Sequence, residues 1–366
     1  MRKDNIKVLH VIAGLGNGGA ERQLFEMLRK NKSHVLCSLT DTGVYSKSIK
    51  KLGINFIELK IKYYISILLK IPKLLKIIKE HDINVIHAWM YNSCLISIIL
   101  KVLIVNKRIS ILWGIRCSNM NTKYYSLQLK INIFLCNIFS KLADKIIYNS
   151  YAGLYYHNRI GFNSKKAMVI QNGIDNKKFR FSSSARKILK KKYNILNEEK
   201  VLLCVARVDP MKGHSNLLKA FSIVVKHNRK LKLILIGKDT QKLNKNNNII
   251  TLGMIKDIEN YYSVADFIIL PSLFGEGFSN VLVEGMLCKL FPISSDVGDN
   301  KLIVGKTGII FPSDNIKSII NILEKVANMK QKKISIMSQQ AYIRAKSEFN
   351  LKKMFNAYKK TYEELV

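Results

Sequence analysis

Short apolar runs, nearly free of charge and separated by helix-length segments, constrain this chain more than any other feature. Phe267-Ile-Ile-Leu270 is one such run, stopped by Pro271, which has no N–H to give to a neighbouring strand. Val201 to Ala206, Leu231 to Ile236, Ile249 to Leu252, Pro292 to Ser295 and Gly308 to Phe311 repeat the pattern in the second half. Residues 6–12, 34–39, 83–87, 109–113 and 146–149 repeat it in the first. A strand apolar on both faces must be covered on both, as in a parallel sheet between two layers of helices. The spacing therefore predicts an α/β chain with two Rossmann-like, doubly wound parallel sheets. The turn Asn172-Gly173 and the polar, basic segment 176–184 place a hinge between them.

The bulk properties agree with this and remove other classes. At 366 residues and 48% hydrophobic, the chain is long enough for two cores. No 7–15-residue apolar stretch precedes the first strand, so no secretory leader is expected. The most apolar segment, Ala88 to Val105, is cut by Lys101 and reads as a buried helix rather than a membrane span. The six cysteines are scattered without Cys-x-x-Cys or metal spacing, as reduced core residues of a cytoplasmic protein would be. No Asp-x-Asp pair occurs, so no metal–diphosphate motif and no metal cofactor are expected. The formal charge of +36 favours polyanions in general: nucleic acid, an anionic membrane, or neither if the lysines reflect composition bias.

Several short stretches carry the chemistry. Gly275-Glu276-Gly277 holds a carboxylate between two flexible residues, and Ser279 is a suitable N-cap for a helix that includes Glu284. On one helix the two glutamates would sit about 80° apart, so Glu276 belongs in the loop and Glu284 in the helix. A ligand held over the helix start would meet both, together with free amides that attract phosphate or hydroxyls. The same spacing also fits an ordinary strand–turn–helix with two solvated glutamates. Arg207 and Lys212, five residues apart beyond a strand end, suit a diphosphate: the arginine binds oxygens bidentately and the lysine adds a point charge. Gly14-x-Gly16-x-x-Gly19 fits a phosphate-approaching loop. It also satisfies a dinucleotide fingerprint, with Asp41 about twenty residues on, so a nicotinamide-dependent oxidoreductase is an alternative. His87 and Arg116 lie near strand ends and are candidates for an acceptor. Lysines 60, 62, 70, 73, 76 and 79 alternate with apolar residues around a helix boundary at Pro72. This reads either as a helix packed on a sheet or as a surface lying on anionic lipid.

Five stretches in order carry a family resemblance: Gly14-Leu-Gly-Asn-Gly-Gly-Ala-Glu-Arg22, Gln171-Asn-Gly-Ile-Asp175, Ala206-Arg-Val-Asp-Pro-Met-Lys-Gly213, Pro271 to Glu284, and Ser295-Asp-Val-Gly298. Together they resemble the retaining glycosyltransferases of family 4, over essentially the whole chain. The resemblance implies the GT-B fold, with two Rossmann-like domains facing an interdomain cleft. It places an acceptor-side domain at 1–175, a nucleotide-sugar domain at 176–344, and a terminal helix, about 345–366, packed back on the first domain. It implies transfer of a hexosyl or N-acetylhexosaminyl group from a nucleotide-sugar, expected to be a UDP-sugar, to a polyprenyl- or lipid-linked saccharide in capsule, O-antigen or lipopolysaccharide synthesis. The expected location is the cytoplasmic face of the inner membrane, peripheral on its anionic surface, with no nucleic-acid partner.

By residue, the resemblance implies that Glu276 holds the donor sugar, Glu284 the ribose, and Arg207 and Lys212 the diphosphate. Gly16, Gly18, Gly19, Gly277, Phe278, Ser279 and Asn280 would approach the donor, with Gly237, Met254 and Ile255 near the base. Many family members carry a histidine near the position where Arg116 stands here. A sugar epimerase of the same fold and a basic nucleic-acid-binding protein are further alternatives.

Overall fold

Every strand of both sheets is parallel, as the doubly apolar runs require. The computed structural model describes residues 6–16, 18–40, 43–61, 64–105, 107–243 and 246–366. Asp41 and Lys62 lie outside them. The chain divides into two units, one of Met1–Asn172 with Lys352–Val366, the other of Gly173–Leu351.

The first unit has seven strands: β1 Val8–Ile12, β2 Val35–Ser38, β3 Phe56–Glu58, β4 Val85–Trp89, β5 Ser110–Ile115, β6 Lys145–Tyr148 and β7 Ala167–Val169. Their order is β3-β2-β1-β4-β5-β6-β7, so the winding reverses between β1 and β4. β4 extends two residues past His87, which is therefore an interior strand residue rather than a terminal one. The basic segment around Pro72 forms a 3-10 turn, Tyr64–Lys70, and a helix, Ile71–Glu80, with Pro72 in its first turn. That helix turns Ile71, Leu74, Ile77 and Ile78 into the core. The terminal helix Leu351–Leu365 packs Met354, Tyr358, Thr361 and Tyr362 into this unit.

The second unit has six strands: β8 Lys200–Val205, β9 Leu231–Ile236, β10 Ile249–Thr251, β11 Phe267–Leu270, β12 Phe291–Ser295 and β13 Ile309–Phe311. Their order is β10-β9-β8-β11-β12-β13, with the reversal between β8 and β11. One apolar layer joins the sheet to helices Asn280–Leu287 and Gln331–Glu348. The other joins it to His214–Val224 and Ile316–Ala327. The terminal helix expected at about 345–366 begins at Leu351, set off from Gln331–Glu348 by a break at Phe349 and Asn350. Phe349 packs its ring on Phe278 at 5.3 Å and accepts the Ile174 amide at 2.9 Å, which ends the helical ladder there. All six cysteines are buried and free. Among the described residues no helix is long and apolar enough to cross a membrane.

Candidate active site

Strand order reverses between β8 and β11, and the loops beyond the carboxyl ends of β8, β11 and β12 carry the motif residues. Three loops are locked together there. The Leu273 amide donates to the Met211 carbonyl at 2.7 Å, which ties the loop after β11 to the loop after β8. Gly213 makes this approach possible: its φ is +67°, and a Cβ would lie 2.0 Å from the Pro271 oxygen. Gly298, φ +62°, does the same after β12, where a Cβ would stand 2.3 Å from the Glu276 carbonyl oxygen. The Asp299 amide donates to the Gly277 carbonyl at 3.0 Å.

Glu276 is the centre of this knot and is only 7% exposed. The Lys212 ammonium donates to its Oε1 at 2.5 Å and the Ser272 hydroxyl to the same oxygen at 2.6 Å. Among the described residues, its Oε2 receives only a long 3.3 Å contact from Ser279. Burial pushes the carboxyl's pKa up, but the Lys212 charge and the bonds from Lys212, Ser272 and Ser279 outweigh it, so the net shift is downward. The result is a buried, ionised carboxylate with one oxygen firmly held and acceptor capacity left on the other. Ser279 stands at the N-cap of helix Asn280–Leu287 but makes no capping bond. Its hydroxyl is directed instead to Glu276 and to the Asn300 side-chain oxygen, 2.5 Å away. Asn300 in turn donates to the Ser294 hydroxyl at 2.8 Å.

Glu284 lies inside that helix, 2% exposed, and accepts a 2.6 Å bond from the Tyr262 hydroxyl. Neither glutamate is a solvated turn residue. Arg207 is different: its side chain is 50% exposed and forks onto Asp209 Oδ2, at 3.1 Å from Nε and 2.9 Å from Nη2. Asp209 also accepts the Met211 amide at 3.0 Å, so the acid shapes the loop that presents both cations. Phe278 is buried against Phe349, and Gly277 and Asn280 are buried with it. The Gly237 amide donates to the Gly253 carbonyl at 2.8 Å, which joins the loops after β9 and β10. Met254 follows, largely exposed, with Ile255 half-buried. Asp209 and Ser272 stand inside the motif stretches without an expected role, and Tyr262 and Asn300 lie outside them with no spacing signal.

In the first unit, Gly16 and Gly18 lie in the loop after β1, and helix Gly19–Lys30 starts with no side-chain cap. The Glu21 carboxylate stands at this positive dipole end, where a Cβ added at Gly18 would lie 2.3 Å from its Oε2. His87 and Arg116 come together, but on internal partners. His87 Nδ1 is 2.8 Å from the Tyr362 hydroxyl, and its ring stacks on Trp89 at 4.5 Å. Arg116 donates to Asn172 Oδ1 at 2.9 Å and to the Tyr358 hydroxyl at 2.6 Å, and lies 4.5 Å above Trp89. Among the described residues no three His, Cys, Asp or Glu side chains converge as metal ligands.

Known proteins resemble this chain in sequence and in fold. A capsular polysaccharide biosynthesis glycosyltransferase of Staphylococcus aureus, CapM, is 28% identical over 224 residues, 56% of this chain and 57% of that one. The N-acetylgalactosamine-N,N'-diacetylbacillosaminyl-diphospho-undecaprenol 4-alpha-N-acetylgalactosaminyltransferase of Campylobacter jejuni is 28% identical over 176 residues, 45% of each chain. The matched stretches thus span about half the length of these relatives. The structure of Anabaena HepE in complex with UDP and glucose superimposes with a TM-score of 0.86 at 18% identity, over 98% of this chain and 100% of that one. This likeness shows the GT-B fold. The model of "Glycosyltransferase Family 4" matches residues 17–178, and that of "Glycosyl transferases group 1" matches 185–344. With both units matched in order, the chain belongs to the family 4 glycosyltransferases.

Proposed function

We propose that the protein is a retaining glycosyltransferase that moves a sugar from a UDP-sugar to a lipid-linked saccharide of a surface polysaccharide. The observation that carries the donor half is Glu276, ionised and buried beside Lys212 where the strand order reverses. Its less occupied Oε2 accepts donor sugar hydroxyls. Lys212 and Arg207 take the diphosphate, Arg207 by exchanging Asp209 for phosphate oxygens. The start of helix Asn280–Leu287 adds a positive dipole end as the leaving group gains charge. Glu284, fixed by Tyr262, takes the ribose hydroxyls. The entering acceptor hydroxyl passes its proton to the departing phosphate, so no second carboxylate nucleophile is needed. Fixed protein cations serve where a divalent ion serves in other transferases, and no metal is required.

The acceptor half rests on kinship. The Campylobacter relative acts on a diphospho-undecaprenol saccharide, and the Staphylococcus relative serves capsule synthesis. UDP is what the Anabaena protein of the same fold holds, and is accordingly the first nucleotide to test. The enzyme works at the cytoplasmic membrane surface, where such acceptors reside. A panel of UDP-, GDP- and ADP-sugars, assayed for hydrolysis and for transfer to undecaprenyl-diphosphate saccharides, tests the reading. Turnover of a UDP-sugar is the expected result. Conversion of the nucleotide-sugar to its epimer with no acceptor added would replace this reading with an epimerase.

A further inference from the structure

Helix Leu127–Phe139 is apolar on two faces. Ile133 and Cys136 are buried in the first unit's core. Leu127, Ile131, Phe134 and Ile138 point the other way, at helical spacings of 4, 3 and 4, and form one outward stripe. Leu127 is 70% and Phe134 62% exposed. The Lys101 ammonium donates to the Leu142 carbonyl at 3.0 Å, so the end of helix Met90–Leu103 lies beside the end of the stripe. Val102 and Val105 extend the apolar surface there, Val105 being 87% exposed. Single exposed apolar residues are ordinary, but a continuous patch of this kind marks a binding surface.

Charge decides what the patch binds. From Ile83 through Ala143 there is no aspartate or glutamate, in a chain that carries 25, and there are seven lysines and arginines. Lys123, Lys130 and Lys141 are exposed around the stripe. A second copy of the chain meeting this face about a two-fold axis would bring the same cations against themselves. A flat anionic surface with an apolar interior answers both features: side chains enter the acyl region while the lysines stay with the headgroups.

We propose that helix Leu127–Phe139, with the adjoining end of helix Met90–Leu103, is the surface by which the protein docks on an anionic lipid bilayer. The helix lies in the membrane plane, since thirteen residues are too few to span it. The face differs from the lysine-rich helix Ile71–Glu80, whose apolar residues are committed to the core. The inference deepens the membrane-surface part of the proposed function. Its test reads lipid binding alone, so it stands or falls separately from glycosyl transfer.

The test uses the full chain with phosphatidylcholine vesicles, with and without phosphatidylglycerol. Both native tryptophans, Trp89 and Trp113, are fully buried, so Phe134→Trp introduces an exposed reporter. Its emission is expected to shift to the blue on anionic vesicles only. Ile131→Asn with Phe134→Asp is expected to abolish co-sedimentation while the circular dichroism spectrum and melting temperature stay as in the wild type. Neutralising Lys123, Lys130 and Lys141 to glutamine is expected to weaken partitioning roughly five-fold per residue at low salt. Unchanged co-sedimentation of the Ile131→Asn, Phe134→Asp chain, or an unshifted emission of the Phe134→Trp chain on anionic vesicles, would overturn the proposal. So would a wild type that ignores vesicles, whether monomeric or a dimer that these substitutions split.

Discussion

Glu276 and Lys212 are stable beside each other only as a pair. Both are nearly out of solvent, and removing one strands the other's charge. Lys212→Met is therefore expected to destabilise the second unit by about 3–5 kcal/mol in urea melts. Arg207→Ala, which breaks a half-exposed pair, should cost about 1 kcal/mol or less. Arg207→Ala is also expected to weaken UDP affinity in titration calorimetry, with the fold unchanged. Equal stability losses for the two variants would mean that Lys212 is not the buried partner of Glu276. The motif residues were legible because they stand at fixed offsets from a strand end and a helix start. Tyr262 was not, since its partner Glu284 is 22 positions away and reaches it only through the packed fold. Ser279 was legible as a cap by type, yet its hydroxyl serves Glu276 because the carboxylate loop passes within reach.

At the scale of elements, β1 and β4 place His10 directly opposite His87. The His10 ring meets His34 Nδ1 at 2.9 Å and takes the Trp89 indole N–H at 3.1 Å. Burial lowers all three imidazoles, His34 to about 4; His10 is lowered further by its two histidine neighbours and His87 by Arg116. Their folded pKa values lie below the ordinary 6.5, so the unfolded chain takes up these protons first as pH falls. The first unit's stability should hold above about pH 6.5 and decline from there toward pH 4. Urea melts across that range check this, and His34→Asn is expected to flatten the slope; a pH-independent midpoint would contradict the buried, neutral cluster. The sheets themselves were legible from their apolar runs, with all six strands of the second unit foreseen. β3 and β7, the two three-residue edge strands of the first, were missed because an edge strand needs neither length nor two apolar faces. The break at Phe349 and Asn350 was also hidden, being imposed by contacts with Ile174 and Phe278 rather than by a Gly or Pro.

At the scale of the whole molecule, each unit carries its own sheet and core, and the groups proposed to bind the donor, Arg207, Lys212, Glu276 and Glu284, all belong to the second. Differential scanning calorimetry is expected to resolve two transitions. UDP at a hundred times its Kd should stabilise the transition of the second unit by about 2.7 kcal/mol. A shift confined to the first unit's transition would move the nucleotide site there. The most direct test of the account is donor turnover by the Glu276→Gln protein beside the wild type, both with excess chelator. The expected result is undiminished wild-type turnover and a loss on the order of a hundred-fold or more in the folded variant. Full activity in Glu276→Gln, or wild-type turnover that vanishes with chelator and returns with manganese, would contradict it.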